Sequence, residues 1–136
     1  MERTITLRTP SRNAFVDITR DVEKAVSSLG IEDGAVVVYV PHTTAAVTVN
    51  ESADPDVSRD ILARLSELVP PSASYRHAEG NADAHIKSTL VGCSKTLLVR
   101  GGRLALGTWQ GVFFCEFDGP RSRTVIVAPV GGRVEP

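Results

Sequence analysis

The chain lacks the marks of several large classes of protein. It carries only two cysteines, Cys93 and Cys115, and they do not form a CxxC pair. That number and spacing argue against a disulfide framework and leave two reduced, mostly buried thiols as the expectation. No long hydrophobic run is present. The longest, Ala35 to Val40, is far short of the roughly 20 residues of a membrane span. The opening MERTITLRTPSRN has no apolar core of a signal peptide. No membrane partner is expected, and the cytoplasm is the expected location. Neither sign of charge is in excess: 15 basic residues face 16 acidic ones, for a net charge of −1. So small a net charge does not support a general nucleic-acid binder. There is no internal repeat, low-complexity tract or flexible linker. What is present is an ordinary 42% of hydrophobic residues in 136, enough for one domain over 1–136 with a real core.

The patterning alternates between the two periods of secondary structure. Residues 3–8 alternate Ile5 and Leu7 with polar neighbours, as a half-buried strand does. Ile18, Val22, Ala25, Val26 and Leu29 then recur at helical spacing, with Gly30 as a natural stop. Residues 35–40 read as a central strand, with 45–50 as its partner. Asp54 and Pro55 open a second helix as N-cap and first helical residue. Its expected buried stripe is Val57, Ile61, Leu65 and Leu68. A third, shorter helix is expected from Ala82 to Leu90, with Ala82, Ile86 and Leu90 on its inner face and Gly92 beyond its end. Strands at 95–100, 104–107, 111–117 and 123–130, separated by Gly- and Pro-containing turns, suggest antiparallel hairpins. The order is not the strict alternation of a parallel sheet, so the fold class is α+β.

All three histidines lie in two polar motifs, PHTTAAVTVNE with His42 and YRHAEGNADAHIKS with His77 and His85. Three imidazoles around one open position are a recurring catalytic zinc geometry. The spacing alone leaves a second reading open, in which two are surface or structural histidines and one a satisfied core residue. Glu79, Asn81 and Asp83 stand between His77 and His85. Acidic groups there could orient imidazoles or move protons, and Asn81 and Asp83 could equally cap the helix. Glu79, two residues from His77 and next to Gly80, is the leading acid–base candidate. Asn50 and Glu51 end a strand as further polar candidates. Trp109 reads as a core or interface anchor. Gln110 beside it could reach a ligand or the backbone. Arg121 could clamp a phosphate or carboxylate, or form a structural salt bridge.

Taken in order, HTTAAVTVNE, DPDV with Asp60, YRHAEGNADAHIKS, GRLALGTWQG and EFDGPRSR resemble the YjbQ-like family, many of whose members carry the label secondary thiamine-phosphate synthase. The resemblance covers about residues 35–128. It implies an α+β domain with largely antiparallel sheets in a sandwich-like arrangement and about three helices, assembled as a homotrimer. It also implies a site gathering His42, His77 and His85. The combined expectation is a metal-dependent enzyme acting on a small phosphorylated molecule. Its divalent ion would be zinc, with magnesium as the alternative, and Asn50, Glu51, Asn81 and Asp83 would support Glu79. Thr43, Thr44, Lys87, Gln110 and Arg121 would contact substrate. The thiamine-phosphate synthase reaction would join a pyrimidine diphosphate to a thiazole phosphate. A hydrolase of a phosphorylated metabolite and a non-catalytic trimeric binding module are the alternatives.

Overall fold

The structure is a computed structural model that describes residues 1–131. Its strands are β1 Arg3–Arg8, β2 Ala14–Asp17, β3 Gly34–Tyr39, β4 Ala45–Glu51, β5 Ser94–Arg100, β6 Arg103–Leu104, β7 Gln110–Glu116 and β8 Ser122–Pro129. The helices are α1 Thr19–Leu29, α2 Pro55–Leu68 and α3 Ala82–Val91. They build two wholly antiparallel sheets, ordered β1-β8-β3-β5-β6 and β2-β7-β4. The α+β class and the sandwich-like arrangement stand.

The two-residue period of a strand explains how the layers meet. On β4 and β7, Ala45, Val47, Val112 and Phe114 join Val36, Val38, Val125 and Val127 of the larger sheet, together with α1, in the main core. The intervening residues Ala46, Cys115 and Phe117 point the other way and pack with Ala84, Leu62 and Leu65 under α2 and α3. The smaller sheet is therefore covered on both faces, which is why β7 is buried almost throughout.

Several sequence expectations change here. The strand at 45–50 does not pair with the one at 35–40. It pairs with β7 from Ala45↔Glu116 to Glu51↔Gln110, while β3 lies between β5 and β8. The DGP turn after β7 therefore crosses between sheets rather than closing a hairpin. Strand β2 was not expected, and the strand at 104–107 shrinks to Arg103–Leu104. In α2 the Asp54 cap forms, with Oδ1 accepting from the Asp56 N–H at 2.9 Å. Its apolar stripe is only half covered, however, and Leu68 is 68% exposed.

The inner face of α3 is the largest departure. Ile86 and Leu90 lie outside, and the enclosed side chains are Ala82, Asp83, Ala84, Lys87 and Ser88. Periodicity failed there because an ion pair replaces apolar contact. Lys87 Nζ reaches Asp83 Oδ2 at 3.4 Å, Asn13 Oδ1 at 3.2 Å and Ser66 Oγ at 3.4 Å, above the Phe117 ring. Asp83 also receives Arg12 at 3.0 Å. A buried charge is tolerated when it is paired and hydrogen-bonded, as both are here.

Candidate functional site

Helix α3 and its preceding loop carry two of the histidines, and three polar ties fix where they stand. Arg12 binds Asp83 from the loop after β1. Asn81, at the N-cap position, donates through Nδ2 to Asp118 Oδ2 at 2.9 Å, and Asp118 also accepts from Arg121 at 3.1 Å. Lys87 closes the third tie from inside. Gly119 then has to be glycine, because the space of a side chain there is taken by the Ser11 carbonyl, Glu116 and Thr9.

His77 precedes α3 and His85 lies within it, whereas His42 stands between β3 and β4. His77 and His85 meet edge to face, with ring centroids 5.2 Å apart at 69°, and share a hollow of about 470 Å³ with Tyr75 and Ile86. On its other side His85 lines a second cleft of about 410 Å³ with His42, Thr43, Ser88, Thr89 and Cys93. His85 is thus common to both. The contact between His77 and His85 is an edge-to-face pairing of the two rings. His42 does not join them. Among the described residues no three His, Cys, Asp or Glu side chains converge to hold a metal. His42 instead uses Nε2 to accept the Thr124 backbone N–H at 3.0 Å. The expected three-histidine set is therefore not assembled within one chain.

The structure redistributes the other candidates. Lys87 is 1% exposed and spends its charge on Asp83, so it is not a substrate contact, and Asp83 is an anchor rather than a proton carrier. Thr44 is buried, its hydroxyl accepting from Arg123 at 2.9 Å, whereas Thr43 lines the cleft. Arg121 pairs with Asp118 yet stays half exposed. Glu79 is exposed in the loop before Gly80, whose φ of +81° suits glycine. Asn50 accepts from the Glu51 N–H and Gln110 from the Gly107 N–H, both local bonds. Asn50, Glu51 and Gln110 stand at the opposite end of β4 and β7 from His42, roughly 20 Å along the strands at about 3.3 Å per residue. They do not share its cleft within one chain.

Sequence reasoning missed Ser88 and Thr89, although i, i+3 and i+4 spacing from His85 puts them on one helix face. It also missed Glu116 and Arg123, an enclosed ion pair between the sheets. A carboxylate in the run GVFFCEF was the available signal. Arg123 also donates to the Thr44 carbonyl, and Thr9 donates to Glu116 at 2.7 Å. The thiol expectation holds for Cys115, whose pKa burial raises, but Cys93 is exposed.

Burial, then the charge of Arg123 with that of Arg121, holds the His42 pKa below the usual histidine value against the pull of the Thr124 backbone and Glu116. Burial works to raise the Glu116 pKa, but hydrogen bonds from Arg123, the Asp118 N–H and Thr9 outweigh it and hold it low. For both groups the unfolded chain binds protons more readily than the folded one. Their stabilisation is complete above the unfolded values of 6.5 and 4.5 and is lost as pH falls through each folded value. Thermal melting should thus be flat from pH 8 to 7, fall below about 6.5, and fall again below about 4.5. His42→Gln should remove the first fall. A midpoint that rises on acidification through this range would contradict the assignment.

Fold and cleft together define a two-sheet α+β domain with a polar, histidine-lined site on one short helix. The chain belongs to the UPF0047 YjbQ-like family, whose model matches residues 3–132. It is 51% identical to a UPF0047 protein of Methanocaldococcus jannaschii, over 93% of this chain and 92% of that one. It is 50% identical to the UPF0047 protein YugU of Bacillus subtilis, over 96% of this chain and all of the relative. A crystal structure from Clostridium acetobutylicum, described as an uncharacterized conserved YjbQ/UPF0047 protein, superposes with a TM-score of 0.92 at 50% identity, covering 94% of this chain and 99% of that one. A YbjQ-like protein of unknown function from Sulfolobus solfataricus gives a TM-score of 0.91 at 37% identity, covering 97% of each. The resemblance read from the motifs holds for family and fold. Among the described residues no helix is long and apolar enough to cross a membrane.

Proposed function

We propose that the protein is a metal-dependent enzyme acting on a small phosphorylated metabolite, working as a homotrimer in the cytoplasm. The observation that carries this reading is the position of His85 between the His77 hollow and the His42 cleft. An ion on one side of that ring would stand next to a substrate on the other. Two imidazole ligands favour zinc over magnesium, which prefers oxygen. A zinc-class ion on His77 and His85 would supply Lewis-acid polarisation of a phosphoryl oxygen. Arg121, whose charge reaches His42, would draw the anion in, and Thr43 would donate to it. Ile86 and Leu90, one turn apart and exposed on α3, offer a neighbouring copy an apolar face beside the hollow. The free, exposed Cys93 thiol suits a reducing compartment.

Two reactions fit such a substrate. Thiamine-phosphate synthesis needs several cations on the departing pyrophosphate, and Lys87 and Arg123 are instead enclosed in ion pairs with Asp83 and Glu116. That favours hydrolysis of a phosphorylated metabolite. Turnover of phosphorylated metabolites, including the pyrimidine diphosphate and thiazole phosphate pair, with and without chelator, separates these readings. Chelator-sensitive turnover supports the enzyme, and metal binding without turnover points to a binding module. Within the enzyme, Glu79 is the proton carrier. Glu79→Gln keeps size and most hydrogen bonds but cannot carry a proton, so turnover should fall at least about a hundredfold with fold and metal retained. Unchanged turnover would make Glu79 a solvated loop residue.

A further inference from the structure

The bond from the Thr124 N–H to His42 Nε2 fixes more than the orientation of the ring. A backbone N–H can only donate, so Nε2 must present its lone pair and the neutral imidazole carries its proton on Nδ1. Such a ring has no lone pair left for a metal. Nε2 is committed to β8, and Nδ1 is protonated. What it brings to the cleft it lines is an N–H donor.

Ser88 lines the same cleft. Its hydroxyl is enclosed, with the residue 8% exposed, and finds no hydrogen-bond partner among the described residues. An enclosed polar group without a partner is costly, and native proteins rarely keep one without a use. Thr43 lines the cleft beside it, the Thr89 hydroxyl gives its proton to the His85 carbonyl, and among the described residues no carboxylate lines the cleft. A surface of donors without a carboxylate suits a ligand group that only accepts.

We infer that His42 and Ser88 form an oxyanion subsite, in which the Nδ1–H and the serine hydroxyl together hold a phosphoryl group and His42 is no metal ligand. The subsite rests on the proposed function only in identifying that group as the substrate's phosphate. It divides the labour among the histidines: His77 and His85 face the ion, and His42 faces the anion.

The test uses the full chain with 15N-labelled histidine and inorganic phosphate as probe. The His42 ring should show the neutral Nδ1–H tautomer in both zinc-free and zinc-loaded protein, and phosphate should shift that proton. Ser88→Ala should weaken phosphate binding roughly tenfold or more, as expected for losing a hydrogen bond to a charged group. Its melting temperature should stay level or rise, because the lost hydroxyl had no partner. An Nε2–H tautomer, a zinc-induced shift on a His42 ring nitrogen, or wild-type phosphate affinity in Ser88→Ala would each overturn the subsite. Phosphate binding that depends on His42 and Ser88 in zinc-free protein supports it even where the metal reading fails.

Discussion

Arg123→Met is expected to cost about 3–5 kcal/mol of folding stability, the range for breaking a buried ion pair from one side. Glu116 is fully enclosed and Arg123 is 4% exposed, so the substitution leaves a carboxylate between two sheets with its main partner gone. The Thr44 carbonyl and hydroxyl lose a donor at the same time. Urea denaturation of the two proteins measures the difference. Pairing the change with Glu116→Leu should restore most of the loss, because an apolar pair of similar volume often replaces a buried ion pair without penalty. A loss below about 1 kcal/mol for the single variant would show that the pair is not as enclosed as described.

His85→Ala carries the largest expected functional effect. Changes to groups that merely support a metal ligand cost about 10–100-fold in affinity, so removing a ligand should cost more than about a hundredfold. Bound zinc by elemental analysis and turnover should therefore both collapse, and His77→Ala should behave alike. The fold should survive, because His85 is only partly buried and α3 is held by Asp83, Lys87 and Asn81 rather than by its histidine. Wild-type zinc occupancy in either variant would remove the metal from this site.

The sequence was most legible where local chemistry decides. The Asp54 cap, the Gly30 and Gly92 stops and the strands at 3–8 and 35–40 all form within a residue of the expectation. Strand partnership was not legible, since nothing within residues 45–50 says that β7, sixty residues later, is their neighbour. The inner face of α3 was misread for a different reason. Periodicity ranks Ile86 and Leu90 as inward, yet Asp83 and Lys87 satisfy each other and take that place. The same pairing withdrew Lys87 from the candidate site. Histidine content pointed to the right region, but the donor that holds His42 belongs to the backbone of Thr124, and no side-chain motif records it. Ser88 was within reach, because its spacing from His85 places both on one face.

In the proposed site an ion would stand on His77 and His85 while His42 serves the substrate. Anomalous diffraction at the zinc absorption edge, from crystals of the full chain grown with zinc, tests it most directly. A peak is expected about 2.0–2.1 Å from one ring nitrogen of each of His77 and His85, with His42 Nε2 still accepting from the Thr124 N–H. A peak bonded to His42, or none beside His77 and His85, would contradict it.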